Sequence, residues 1–372
     1  MLTRKFKTLP VLIPIFLLPP SVLPPSSVHA QEMTIEEYEP RSTLVVPANI
    51  VTQARYPFVD VHAHQRSPST GQVDTLVQEM DAMNMAVMVN LSGGTGESLV
   101  RTVETMKGAY PSRFVVFSNI DFSTFTEPNF GDRAAAQVER DVANGAQGLK
   151  IFKNLGMFLR DADGAIVAAD DPRLDPIWQK CADLGIPVLI HVGEPSPFFE
   201  TQDRYNERWL ELKEFPERKR PPDEFGTWEE VMGRQHNLFR RHPRTTFINS
   251  HLGWLGNDLG RLGALMDELP NMYTEIGAVL AELGRQPRFA REWLIRRQDR
   301  VLFGKDAWSP EEYHVYFRTL ETADEYFEYY RKRHAHWRIY GLDLPDEVLR
   351  KLYYENALRI IPGLDQSLFS EE

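Results

Sequence analysis

Cysteine is nearly missing from this chain. Cys181 is the single one among 372 residues, so no internal disulfide can form and no metal site can draw on several thiolates. It lies in a helix-like stretch over 176–182, where a buried structural cysteine is the expected role rather than a nucleophile. Positive charge is also in short supply, with 42 Lys and Arg against 53 Asp and Glu for a formal net charge of −11. With no basic stripe in view, binding to a nucleic-acid backbone is excluded as the main activity, and the acidic balance mostly serves solubility. A solenoid-type internal repeat is absent too. So is a glycine-rich phosphate loop after the first strand-like run, where a doubly wound nucleotide-binding sheet would carry one.

The N-terminus has a composition of its own. Arg4, Lys5 and Lys7 precede an apolar run over 9–18 that prolines interrupt, and Val28-His29-Ala30 offers small residues for cleavage before Gln31. This pattern predicts a secretory signal peptide over 1–30. The run is too short to span a bilayer, so a secreted or periplasmic protein without a stable membrane span is expected. A polar arm over 31–55 then leads to a folded domain over 56–363, followed by a short tail over 364–372.

Within that domain, apolar β-rich runs alternate with amphipathic helical stretches. Strands are predicted over 58–62, 86–91, 114–120, 148–152, 187–191, 246–250, 272–276 and 301–303. Helices are predicted over 73–83, 98–109, 133–144, 174–184, 228–241, 258–269, 287–297 and 347–358. Eight strands each followed by a helix imply an α/β fold, a closed (β/α)8 TIM barrel. Long loops, 194–227 after the fifth strand and 307–345 after the eighth, are expected to shape or cover the pocket. Their aromatic residues, such as Phe198, Trp209, Tyr313 and Tyr330, taken singly fit a helical packing stripe.

Barrel enzymes work at the C-terminal ends of their strands, and four of these ends carry metal-competent side chains: His62 and His64, His191, His251, and Asp306. In a strand, residues i and i+2 share a face, so His62 and His64 aim into one small volume. Such a set has no common structural excuse, whereas a lone histidine would more often be a core residue bonded to backbone. Lys150, at the end of the fourth strand, has three readings: a cationic partner for a substrate carboxylate, an ion-paired lysine, or a bridging ligand between two metals. Lys153 reads as ordinary loop charge and Glu194 as an exposed loop carboxylate that could bind substrate. Asp60 should lie one layer beneath His62, and Glu275 and Asn90 can face the pocket, though inward strand residues are mostly core. The Asn90-Leu91-Ser92 triplet fits a glycosylation acceptor but sits at a strand end.

Taken in order, Val59-Asp60-Val61-His62-Ala63-His64, Ile190-His191, Ser250-His251-Leu252-Gly253, Leu302-Phe303-Gly304-Lys305-Asp306 and the closing Tyr353-Tyr354-Glu355-Asn356-Ala357-Leu358-Arg359 resemble the amidohydrolase superfamily. The likeness is to the amidohydrolase-2 branch, the one similar to aminocarboxymuconate-semialdehyde decarboxylase, and spans residues 56–363. It implies one divalent metal ion, zinc, on His62, His64, His191 and Asp306, with His251 as general acid/base or electrostatic stabiliser beside it; a second ion bridged by Lys150 is the less favoured variant. Lys305 departs from the family's usual small hydroxyl residue before the aspartate. The function implied is a metal-dependent hydrolase attacking an amide, lactone or ester-type carbonyl of a small, carboxylate-bearing substrate, with Asp306 and His251 moving protons. The alternative is a non-oxidative decarboxylase of the same branch, and a further one is a catalytically silent binding protein. Oligomeric state, a homo-oligomer included, is left open.

Overall fold

The computed structural model describes residues 33–369, so the expected signal peptide lies outside the described residues. Among the described residues, 33–43 form one unit and 44–369 a second, compact one. In the short N-terminal piece, Glu37 accepts a hydrogen bond from the Thr34 amide at 2.9 Å. Among the described residues, no helix is long and apolar enough to cross a membrane.

The larger unit is an eight-stranded parallel barrel. Its strands are β1 (Phe58–Ala63), β2 (Met85–Asn90), β3 (Phe114–Ser118), β4 (Gly148–Ile151), β5 (Val188–Ile190), β6 (Phe247–Asn249), β7 (Met272–Glu275) and β8 (Val301–Leu302), each paired to the next in chain order. Helices cover their outer faces and side chains fill the inside. The strands therefore read as almost unbroken apolar runs such as Phe114-Val115-Val116-Phe117, all four buried, as expected where both faces are covered. The ring closes through Val61 N donating to Phe303 O at 3.0 Å and Asp306 N donating to His62 O at 2.6 Å. Two residues expected at a shared site thus meet first through the backbone bond that seals the barrel.

Local chemistry explains the helix starts. Ser69 caps Thr70–Ala82 with Gln72 reaching back, and Thr227 caps Trp228–Arg241 with Glu230 in the same way, each satisfying amide groups that a helix leaves bare. The expected helix over 347–358 forms in three parts: Asp346–Arg350, a π turn over Lys351–Glu355, and Asn356–Ile360. The Leu352 carbonyl in the widened turn accepts from Phe303 N at 2.9 Å. A strand that ends at Leu302 thereby finds a partner for its next amide.

The connection after β8 differs from the expected long loop, because Pro310–Glu321 is a helix. Tyr313, Tyr316 and Phe317 are its buried face, and Phe317 packs edge-on to Phe58 with ring centroids 5.4 Å apart. The packing-stripe reading therefore holds for them: these aromatics back the barrel wall. Residues 44–55, read from sequence as the end of an arm, are tied to the compact unit. Asn49 N donates to Asp324 Oδ2 at 2.7 Å and Ala54 N to Met83 O at 3.1 Å. At the other end, Phe369 is buried and stacks on Tyr354 at 5.0 Å.

The connection after β5 is pinned by buried charge. Glu211, on the short helix Trp209–Glu214, pairs with Arg208 at 3.1 Å and with Arg218, and His334 Nε2 lies 3.3 Å away. Burial alone would push this carboxyl up, yet its surroundings hold it down at about 2. The His334 contact is the largest lowering influence, and Arg208 and Arg218 follow it. A carboxyl depressed in the folded state stabilises the fold above its unfolded value and loses that contribution as pH falls through the folded one. Between pH 4.5 and 2 the protein should therefore lose about 2 kcal/mol through this group. Urea unfolding at stepped pH should show a shallower acid loss for Glu211→Gln, and parallel curves would sink the assignment.

Candidate metal centre

The strand ends assemble one cluster of imidazoles and carboxylates. His62, in β1, is fully buried; His64, just past it, is partly exposed. His191 directly follows β5, His251 follows β6, Glu275 closes β7, and Asp306 sits four residues beyond β8. Donor atoms of His62, His64 and Asp306 all lie within 4.8 Å of one another. His62 Nε2 is 3.8 Å and His64 Nε2 3.5 Å from Asp306 Oδ1. His191 joins through His251, with His191 Nδ1 3.3 Å from His251 Nε2. Lys150 is buried, its Nζ 3.5 Å from His62 Nε2. The six residues singled out in the sequence thus form one connected group.

Hydrogen-bond partners assign the tautomers. His62 Nδ1 donates to Glu275 Oε1 at 2.9 Å, and His64 Nδ1 lies 2.9 Å from Ser92 Oγ. His251 Nδ1 donates to Gly277 O at 2.8 Å, which leaves its Nε2 to accept from His191 Nδ1. His62 and His191 then carry their protons on Nδ1 and have an Nε2 lone pair to offer, and His64 is held at Nδ1 by Ser92. His191 Nε2 is buried with no hydrogen-bond partner among the described residues. Burial, helped by the nearby Lys150 ammonium, holds His64 down at about 4 and holds His62 well below the ordinary imidazole value. Burial, then His251 and Lys150, does the same to His191. Burial pushes the Asp306 carboxyl up, but the imidazoles and Lys150 outweigh it and the group stays below its usual value. Neutral nitrogens and one carboxylate are the donor set that a divalent ion such as zinc takes, so these residues fit a metal.

Backbone geometry holds the cluster in place. His251, Leu252, Gly253 and Trp254 run in the left-handed region with φ of 58°, 54°, 58° and 56°, a conformation costly for side chains other than glycine. This turn brings the Trp254 ring back to stack on His251 at 4.6 Å and lie 5.5 Å from His191. A cavity lined by Arg208, Trp254, Asn257, Val279 and Glu282 adjoins the cluster on that side. Trp254 carried no mark in the sequence, because only the unusual turn turns it inward.

The structure moves three secondary readings. Glu275, read mainly as core, takes the central position behind His62 and His251, a role that its place at a strand end alone signalled. Glu194 is buried, not exposed as its loop position suggested, and pairs with Lys153 at 2.5 Å and Arg220 at 3.2 Å. The long connection folds over it and supplies Arg220, which also places Lys153 in an ion pair rather than as free loop charge. Asn90 braces the loop after β1, its Oδ1 accepting from Gln65 N at 2.9 Å. Asp60 lies in the core beneath His62 and accepts from Tyr313 Oη at 2.6 Å and His62 N at 2.9 Å. Burial pushes its carboxyl up to about 7 against those bonds. Lys305 is buried too, its ammonium bonded to Glu312 and to the Ala307 carbonyl, so this departure points away from the cluster. Cys181 is buried and its thiol pushed up by burial, in line with a structural role.

Comparison with known proteins adds a family to this geometry. The family model described as amidohydrolase matches residues 120–363, more than half of the chain; it takes in Lys150, His191, His251 and Asp306, while His62 and His64 precede it. No curated protein matches the sequence. Among solved structures, the 2,6-dihydroxybenzoate decarboxylase from Rhizobium is 17% identical, with 82% of this chain and 98% of that one covered at a TM-score of 0.51. A Staphylococcus aureus protein provisionally assigned as an amidohydrolase is 18% identical over 82% of this chain and 99% of that one, with a TM-score of 0.50. At these identities the likeness is one of fold.

Proposed function

This chain belongs to the amidohydrolase family, and from that premise we propose that it is a metal-dependent hydrolase of a small, carboxylate-bearing molecule. The bond cleaved is of the amide, lactone or ester type. One divalent ion, zinc in our reading, would be held by His62, His64, His191 and Asp306. When bound, it would acidify a water and polarise a carbonyl. The observation that carries the reading is the buried Lys150 ammonium, 3.5 Å from His62 Nε2 and bonded to no carboxylate among the described residues. A buried cation with no directly bonded anion costs stability, and a substrate anion arriving beside it would offset that cost. Burial brings its pKa down to about 7, with Asp306 and Glu275 opposing.

In the reaction, the Asp306 carboxylate accepts the proton of the attacking water as its oxygen bonds to the carbonyl carbon. Lys150 faces the negative charge that develops on the carbonyl oxygen or on a neighbouring substrate carboxylate. His251, fixed through its Nδ1–H, takes a proton at Nε2 once that nitrogen gives up its bond from His191 Nδ1, and returns it to the departing nitrogen or oxygen. Trp254 shields this side of the cluster from water.

Decarboxylation is the second reading. Lys150 would serve there as the anchor of the leaving carboxylate, and the fold is shared with the Rhizobium decarboxylase. Assays on panels of carboxylated amides, lactones and aromatic acids separate the two: a new acid with an amine or alcohol against release of bicarbonate. Elemental analysis supplies the metal test. We expect one ion per chain in wild type and in Lys150→Ala, and none in His191→Ala. Loss in both variants would favour a bridged pair of ions, and a wild-type chain without stoichiometric metal would sink the enzyme reading.

A further inference from the structure

We infer that Glu275 is the positioning residue of this centre, one carboxylate that orients two histidines of different duty at once. The inference rests on the metal site proposed above. Glu275 is fully buried. Its Oε1 accepts from His62 Nδ1 at 2.9 Å and from the His251 backbone amide at 2.6 Å, while Oε2 accepts from the Gly277 amide. The first bond places the His62 proton on Nδ1 and turns the Nε2 lone pair toward His64 and Asp306. The second holds the first residue of the left-handed turn that sets the His251 ring and Trp254. Gly277 in turn supplies the carbonyl that takes the His251 Nδ1 proton.

Space for this carboxylate is made by missing side chains. A Cβ on Gly304 would lie 2.5 Å from Glu275 Oε2, and one on Gly277 would lie 2.7 Å from the same atom. Two strand ends therefore carry glycine where the carboxylate passes. Glu275, His62 and His251 are close enough to hold a cation themselves. Their protons speak against it, since His62 Nδ1–H points at Glu275 and His251 Nδ1–H at Gly277 O. The triad is a hydrogen-bonded brace.

The test uses the full mature chain, selective 15N-histidine labelling and zinc alone as probe. In metal-free wild type, the His62 signal, assigned by its loss in His62→Gln, should show the Nδ1–H tautomer. An Nε2–H tautomer would overturn the inference, and this reading does not depend on any Glu275 variant folding. In Glu275→Gln, whichever way the amide lies, its NH2 faces at least one backbone N–H. Zinc affinity by chelator competition should fall about 10- to 100-fold. Glu211→Gln, equally buried but outside the cluster, should leave zinc affinity unchanged. Equal affinity in Glu275→Gln would remove Glu275 from this role while leaving the metal site standing. A wild-type chain that binds no zinc would remove the metal site, while the tautomer still judges the brace.

Discussion

Asp306→Asn should lower turnover about a thousandfold while leaving the melting temperature within a few degrees of wild type. The substitution keeps shape and removes charge. Asp306 sits at φ 83°, and asparagine is among the few residues that tolerate the left-handed region. Its structural bond is the backbone N–H to His62 O at 2.6 Å, which the side chain does not touch. What disappears is the anionic oxygen lying 3.5 Å from His64 Nε2 and 3.8 Å from His62 Nε2, and with it the acceptor for the water's proton. Steady-state kinetics at saturating metal, read beside a thermal melt, check this. Retention of a tenth or more of wild-type turnover would take Asp306 out of the proton path.

Gly304→Ala should have the largest effect on stability among the single-methyl changes considered, about 3 kcal/mol of destabilisation, with loss of tight metal binding. The added Cβ would meet Glu275 Oε2 at 2.5 Å and His62 Cβ at 3.0 Å. Both neighbours belong to packed strand ends, so neither can swing aside as a surface lysine would. Moving Glu275 breaks its bonds to His62 Nδ1 and to two backbone amides, leaving buried donors unsatisfied. Gly71→Ala is the natural contrast. A Cβ there meets nothing within 4 Å, and Gly71 lies inside the helix Thr70–Ala82, where alanine is the better residue. Chemical denaturation of the two variants should give shifts of opposite sign or a near-zero value for Gly71→Ala. Similar small shifts in both would mean that the barrel mouth has slack which the static geometry does not show.

The barrel was legible because its signals are local. Apolar runs of strand length and helical periodicities between them are each complete within a few residues. Eight repeats of that unit leave few ways to bury all the apolar faces. The metal-competent residues were legible for a related reason. A polar residue at the end of a strand that is otherwise apolar stands out, and in a parallel barrel every such end faces the same mouth. Where the reading failed, long-range partners decided. Glu194 looks like loop charge until the chain returns with Arg220 to bury it. The segment 310–321 falls within an expected loop although its aromatics fit a helical packing stripe, and Phe58 and Phe303 are the wall that stripe packs against.

From the sequence alone came the strand–helix alternation, the positions of the histidines and the aspartate at strand ends, and the residue types a cation would take, since all of these follow from short-range pattern. Tertiary structure alone decided which nitrogen of each imidazole is free and which residue braces it. His62 and Glu275 stand 213 residues apart, and nothing in the chemistry of either side chain names the other until barrel closure brings β1 and β7 to the same mouth.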